Sequence, residues 1–216
     1  MPKQPRPKLD ADDFQKLQWL VADAYWTWQT WKEMFANLND DIGNGRSKRD
    51  LMNSFGPDFF GRWNQLLFQS TVIRLCRLVD KPMHNHDPSK KNLSIELVVD
   101  EPVHQVDEQQ QDQVAQHLQA IRARTPPIVR LRDWSIAHND LSLIKKLRER
   151  PQVSVRDIDE LLSAVIALLK LLQPADEEFV YEDMIARGNA ETLFRALLDA
   201  EKYSDLDMRN RFGIDG

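Results

Sequence analysis

The stretch SVRDIDELLSAVIALLKLL, residues 154–172, decides the fold class because it joins a helix start signal to a long apolar pattern. Ser154 and Asp157 have the spacing of a capping box, in which each side chain bonds the backbone N–H of the other residue. The apolar side chains that follow fit a helix that ends before Pro174, since proline breaks a helix. The apolar run is shorter than the ~20 residues of a membrane span and contains Lys170. It therefore predicts an apolar helix over 155–172 and a protein without a membrane-spanning segment.

Helical periodicity recurs along almost the whole chain, with apolar residues at three-, four- and seven-residue steps. Thr125 is a candidate N-cap, and Pro126 and Pro127 suit a first helical turn, so one helix is expected to end and another to begin there. Residues 82–92 have the composition of a loop, and residues 95–99 fit either a helical turn or a strand. The predicted helices span 10–38, 58–80, 102–123, 125–149 and 155–172, with a last one from 176 to about 201 that is interrupted at 188–189.

The first two predicted helices carry much of the expected core. Along helix 10–38 one apolar stripe comprises Phe14, Leu17, Val21, Trp28, Trp31 and Phe35. A second stripe on the same helix comprises Trp19, Ala22 and Trp26. Two stripes predict burial on two sides, so this helix is either central or faces another subunit. The inward residues expected on helix 58–80 are Phe60, Trp63, Leu67, Leu75 and Leu78.

The composition favours helices over other folds. Glycine accounts for 7 of 216 residues, about half the usual share of ~7%. This scarcity disfavours turn-rich β-sandwiches and barrels and argues against glycine-loop nucleotide sites. The single cysteine, Cys76, excludes an internal disulfide framework and a cysteine-rich metal site, and it indicates a reducing compartment. We therefore predict a cytoplasmic all-α protein, a helical bundle with one domain over 10–203 and flexible tails at 1–9 and 204–216.

The charge of the chain is unevenly distributed. The net charge of -5 by itself argues against a nucleic-acid partner. Residues 122–150, however, contain eight basic and three acidic side chains, a net +5, so the rest of the chain carries -10. A phosphate backbone responds to the local field rather than to the net charge. This segment is therefore a candidate RNA contact, with candidate RNA-binding residues Arg130, Lys145, Lys146 and Arg148.

His138 lies within this basic segment, six positions after Arg132. Six positions on one helix correspond to about 9 Å along the axis and about 120° around it, so the two side chains do not form a close pair. Two copies of the helix across a two-fold axis would instead place Arg132 of one chain beside His138 of the other. An imidazole suits proton transfer near neutral pH, and a guanidinium suits a phosphate that gains charge in the transition state. Together they suffice for metal-independent RNA cleavage with the 2′-hydroxyl as nucleophile.

Three segments resemble the AbiU-type abortive-infection branch of the HEPN superfamily: RLCRLVD at 74–80, NLSIELV at 92–98 and RDWSIAHNDL at 132–141. The last contains an Arg, a polar neighbour and a His after five intervening residues, which is similar to the HEPN motif. The resemblance implies an all-α antiparallel helical bundle that forms a homodimer through its motif helices. It also implies a metal-independent endoribonuclease of a toxin–antitoxin or phage-defence system, with RNA as substrate, an antitoxin protein as a possible partner and no metal or other cofactor. Its catalytic residues would be Arg132 and His138, with Asp133 orienting one of them.

The residues alone leave a second interpretation open for the motif. His138 lies at the edge of an apolar helical stripe, where a histidine commonly packs or makes a structural hydrogen bond. On this interpretation the protein is a non-catalytic helical dimer that acts as an adaptor or partner-binding module.

Two further clusters of polar residues have alternative interpretations. Arg74, Arg77 and Asp80, at three-residue steps, fit an intrahelical ladder of ion pairs first and the lining of an RNA cleft second. The sequence HNHD at 84–87 has spacing that could touch a metal, but it has no partner His or Cys pattern. A solvated surface loop explains it better, and no metal site is predicted.

Overall fold

The computed structural model describes residues 9–84, 87–102, 107–136, 151–173 and 189–212. Within these ranges the regular secondary structure is helical apart from one two-stranded sheet and an isolated bridge, which agrees with the predicted helical fold. The antiparallel arrangement and the dimer stay predictions. The elements are α1 Ala11–Phe35, α2 Lys48–Phe55, α3 Pro57–Val79, β1 Met83–His84, β2 Asp87–Lys91, α4 Ile95–Asp100, α5 Glu108–Ile136, α6 Val155–Leu172 and α7 Asn189–Phe212.

Helix α6 begins where the capping box predicts. The Ser154 hydroxyl accepts a hydrogen bond from the Asp157 backbone N–H at 3.2 Å, and the Asp157 carboxylate accepts one from the Ser154 N–H at 2.7 Å. The prediction of an apolar helix over 155–172 is confirmed, and its apolar residues form a continuous buried face. In the described ranges, no helix is both long enough and apolar enough to cross a membrane.

Helix α5 runs without interruption through Pro126 and Pro127, so the helix start predicted at Thr125 is wrong. The Thr125 hydroxyl does not cap a helix; it donates to the Ile121 carbonyl at 2.8 Å, one turn earlier in the same helix. The physical reason is tertiary packing. A single buried stripe continues across the prolines, and α5 packs along α6, so burial outweighs the local preference for a break. The residues of this stripe are Val114, Leu118, Ile121, Ile128 and Leu131.

Several boundaries differ from the sequence prediction. The predicted loop at 82–92 contains an antiparallel pair in which Met83 faces Lys91 across β1 and β2. The undecided residues 95–99 belong to helix α4. Helix α2, which the sequence analysis did not predict, begins with a second capping box at Ser47. Helix α7 continues to Phe212 rather than fading near 201, so it extends into the predicted tail.

The predicted inward faces are only partly correct. The main stripe of α1 is buried apart from Trp31, which is partly buried. On α3, Phe60, Leu75 and Leu78 are buried and Leu67 is partly buried. Trp19 and Trp26 of the second α1 stripe, however, are 51% and 40% exposed, and Trp63 is 41% exposed. Trp63 packs beside the ring of Phe59, which is even more exposed, with ring centroids 6.0 Å apart. Periodicity identifies an apolar face, but it does not tell whether another element covers that face.

The chain divides into two compact units. Unit 1 comprises Met1–Trp26 and Gln69–Met184, and it contains the packed helices α5 and α6. Unit 2 comprises Thr27–Phe68 and Ile185–Gly216. Residues from α1, α2, α3 and α7 form the core of unit 2, namely Met34, Phe35, Met52, Phe60, Ala190 and Phe194. The single domain over 10–203 stays a prediction.

Candidate active site

Arg132 lies near the C-terminal end of α5, and two carboxylates hold its guanidinium. Its Nε and Nη2 contact Oδ1 of Asp133 at 3.0 and 2.9 Å. Its Nη1 donates to Oδ1 of Asp80 at 3.2 Å. The Arg132 side chain is 28% exposed, so the guanidinium is reached by solvent while its position is defined by its neighbours. Arginine suits this arrangement because its planar group presents several N–H donors in fixed directions.

Asp80 comes from a different part of the chain, directly after the last residue of α3. One turn earlier on α3, the buried Cys76 thiol contacts the Ile128 carbonyl of α5 at 3.8 Å. Each of the two contacts joins residues 52 positions apart, Cys76 with Ile128 and Asp80 with Arg132. Both members of the second pair lie four residues after those of the first, so the two segments run in the same direction where they meet. The buried contact at Cys76 therefore places Asp80 beside Arg132, one helical turn further along both segments.

The local environment shifts the pKa of both Cys76 and Arg132. Burial raises the pKa of the Cys76 thiol to about 12, and the positive charge of Arg132 opposes this shift only in part. Burial by itself lowers the pKa of Arg132, but the hydrogen bond with Asp133 and the surrounding negative charges raise it above its ordinary value. The thiol is therefore neutral and the guanidinium is charged at any physiological pH.

The structure accounts for some of the predicted site residues. Asp133 contacts Arg132, which is the geometry that an orienting role requires, although the catalytic role of both residues stays a prediction. Arg130 is exposed on α5, two positions before Arg132. His138 and the predicted RNA-binding residues of the 145–148 segment, Lys145, Lys146 and Arg148, lie outside the described residues.

The expected ion-pair ladder along α3 is wrong. Arg74 pairs with Asp23 of α1 at 2.5 Å and also donates to Ser70, while Asp80 pairs with Arg132 of α5. These two ion pairs therefore join the α3 segment to α1 and to α5, because Arg74 and Asp80 face neighbouring helices. Sequence reasoning missed Asp80 as the partner of Arg132, and its only signal was the RLCRLVD segment in the family resemblance.

No group of three or more His, Cys, Asp or Glu side chains is placed to hold a metal ion in the part of the chain with described positions. The side chains of the HNHD sequence at 84–87 lie outside that part of the chain. The expectation that the protein needs no metal therefore stays a prediction.

The sequence of the chain matches a known protein family. The family model described as AbiU2, a HEPN family, matches residues 16–192. The match covers most of the chain and includes Asp80, Arg132 and His138. A comparison with curated proteins found no match, and neither did a comparison with solved structures.

Proposed function

Since the chain belongs to the AbiU2 family of HEPN proteins, as the sequence resemblance predicted, we propose that it is a metal-independent endoribonuclease of an abortive-infection or toxin type. One observation above all supports the proposal. Arg132, the first residue of the motif, has a charged guanidinium that two carboxylates hold in a defined position while part of it faces solvent. A group that must stabilise charge in a transition state benefits from such preorganisation.

The proposed reaction is an internal transesterification of RNA. The 2′-hydroxyl oxygen attacks the adjacent phosphorus, and the bond between phosphorus and the 5′-oxygen breaks. His138 accepts the 2′-hydroxyl proton and then delivers it to the departing 5′-oxygen, and Arg132 stabilises the extra negative charge on the phosphate. The products are a 2′,3′-cyclic phosphate and a 5′-hydroxyl. In a two-fold dimer, Arg132 of one chain and His138 of the other would share one cleft.

The charges near Arg132 set a condition on RNA binding. Asp80 and Asp133 together more than balance the single positive charge of Arg132. The phosphate backbone therefore needs further cations. Arg130 is exposed on the same helix, about 200° around the axis from Arg132, and we assign it to backbone binding away from the guanidinium. Lys145, Lys146 and Arg148 complete the set that we assign to backbone binding, because the net positive charge of residues 122–150 includes them.

The test is cleavage of single-stranded RNA by the purified full chain in the presence of EDTA. We expect His138→Ala to lower the rate by about 10²–10⁴-fold and Arg132→Ala by about 10²–10³-fold. Arg195→Ala is the matched control, since Arg195 is an exposed arginine that pairs with Glu191 on its own helix. It should cleave like the wild type. An identical RNA profile for wild type and His138→Ala would refute the proposal.

One observation favours the alternative function, a non-catalytic helical dimer acting as an adaptor or partner-binding module. The pair between Arg132 and Asp80 joins α5 to the end of α3, so it also has the geometry of a structural contact. On this alternative, Arg132→Ala lowers the thermal stability and changes no RNA profile. Measuring the unfolding temperature beside the cleavage rate separates the two functions.

A further inference from the structure

We propose that Asp80 is a positioning residue for Arg132, fixing the direction of the guanidinium from a separate helix. The catalytic part of this inference rests on the proposed ribonuclease function, whereas the structural part does not. Sequence position alone assigns the orienting role to Asp133, the neighbour of Arg132 in the motif. In the structure two carboxylates share that role. Asp80 holds Arg132 to a separate helix, which Asp133 cannot do.

Asp133 cannot by itself fix Arg132 within the fold. The two residues are consecutive on α5, where neighbouring side chains leave the helix about 100° apart. A contact between them therefore moves with the helix end and does not tie it to anything else. The Asp133 side chain is also 61% exposed, so solvent competes for its oxygens. Asp133 occupies the edge of the guanidinium formed by Nε and Nη2.

Asp80 supplies a contact on a different nitrogen and from a different element. It accepts from Nη1, and its side chain is 39% exposed, less than that of Asp133. Two carboxylates that bind different nitrogens of the guanidinium restrict rotation about the bonds of the Arg132 side chain. A single contact does not restrict this rotation. Together they define the plane of the group.

The backbone position of Asp80 is itself well defined. Leu75, Cys76 and Leu78 on the last turns of α3 are all at most 1% exposed. The thiol of Cys76 contacts α5 directly through the Ile128 carbonyl. Because buried side chains are closely packed, the end of α3 cannot shift relative to Ile128 without losing these contacts. Asp80 therefore contacts Arg132 from a fixed backbone position.

The charge of Asp80 allows its effect on the reaction rate to be distinguished from its effect on RNA binding. A carboxylate beside Arg132 repels a phosphate, so its removal should strengthen RNA binding. Loss of orientation should at the same time slow the reaction, since misplacing a reacting group by about 1 Å can cost about 10²-fold in rate. A positioning residue thus predicts opposite effects on kcat and on affinity.

The experiment compares kcat and KM for RNA cleavage in three variants of the full chain. We expect Asp80→Ala to lower kcat by about 10–100-fold while KM stays equal or falls. Asp80→Asn, which keeps an Oδ1 acceptor, should retain more of the wild-type kcat than alanine does. Glu96→Gln is the control for charge, because Glu96 pairs with Arg122 at 2.7 Å and its loss removes the same single negative charge. Its kcat should equal that of the wild type.

A second measurement decides the structural part without any RNA. The ¹⁵N NMR signal of the Arg132 Nε–H group, assigned by its loss in Arg132→Lys, reports rotation of the guanidinium and exchange of its protons with water. We expect exchange to become several-fold faster in Asp80→Ala and to stay unchanged in Glu96→Gln. If wild type cleaves no RNA but this change occurs, the proposed function fails and the holding role of Asp80 stands. An unchanged Arg132 signal in Asp80→Ala, or a kcat equal to that of Glu96→Gln, overturns the inference.

Discussion

Replacing Pro126 with alanine is expected to stabilise the protein, because this proline lies inside the 29-residue helix α5 rather than at its start. A proline has no N–H, so Pro126 cannot donate to the carbonyl of Arg122 one turn earlier. Its ring also crowds that carbonyl. In the interior of a helix the two effects together cost about 3 kcal/mol relative to alanine.

The expected gain is smaller than this full cost. The structure has already adjusted around the ring, so only part of the crowding is recovered when it is removed. The restored backbone hydrogen bond contributes about 1 kcal/mol. Pro126 is exposed, so alanine loses little packing in exchange. We expect Pro126→Ala to raise the free energy of unfolding by about 1–2 kcal/mol, which for a chain of this size raises Tm by roughly 2–8 °C.

The assay is thermal and urea unfolding followed by far-ultraviolet circular dichroism, with Thr125→Ala as the companion variant. In a continuous helix Thr125 caps nothing, since its hydroxyl bonds back to Ile121, and its loss should change the stability by no more than about 0.5 kcal/mol. If a helix instead began at Pro126, Thr125→Ala would cost about 1 kcal/mol and Pro126→Ala would bring no gain. That pair of results would refute the continuous helix.

Two further predictions concern titratable groups. Hydrogen bonds from the backbone N–H of Ser154 and, to a smaller extent, from its hydroxyl hold the pKa of Asp157 below its usual range. The Asp157 carboxylate therefore contributes its full stabilisation at pH values above its unfolded pKa of about 3.9. It loses that contribution as the pH falls through the folded pKa. Asp157→Asn should therefore weaken the loss of stability in acid, measured as the free energy of unfolding against pH; identical acid profiles would contradict this. Burial raises the pKa of Cys76 to about 12, so its thiol should not react with a disulfide reagent at pH 8 until denaturant unfolds the chain. Rapid labelling in native buffer would be the contrary result.

Sequence reasoning succeeded where the information is local. Ser154 and Asp157 lie three positions apart, so the contact that starts α6 is readable from the chain itself. The spacing of Phe14, Leu17 and Val21 likewise identifies the buried side of α1, because a helix places such positions on one face. The family resemblance had the same basis, since each of its three segments is a short run of consecutive residues.

Sequence reasoning failed where distant residues decide the outcome. The break expected at Thr125 follows from local preferences, which the burial of Ile128 and Leu131 against the rest of the fold overrides. Asp80 has two charged neighbours on its own helix face, yet its partner lies 52 positions away. No periodicity in the chain marks such a contact. The exposed ring of Trp63 shows the same limit, since an apolar face does not reveal whether anything covers it.

The core of unit 2 combines residues from early and late in the chain, which affects how the protein folds during its synthesis. Its core takes Met34, Phe35, Met52 and Phe60 from early in the chain and Ala190 and Phe194 from α7, near the end. About 130 residues separate Phe60 from Phe194, which a ribosome adding about 5–20 residues per second makes in roughly 6–26 s. Throughout that interval the early apolar side chains lack their final neighbours, so a nascent chain presents a hydrophobic segment for chaperones to bind. The core of unit 2 can close only after α7 has been made.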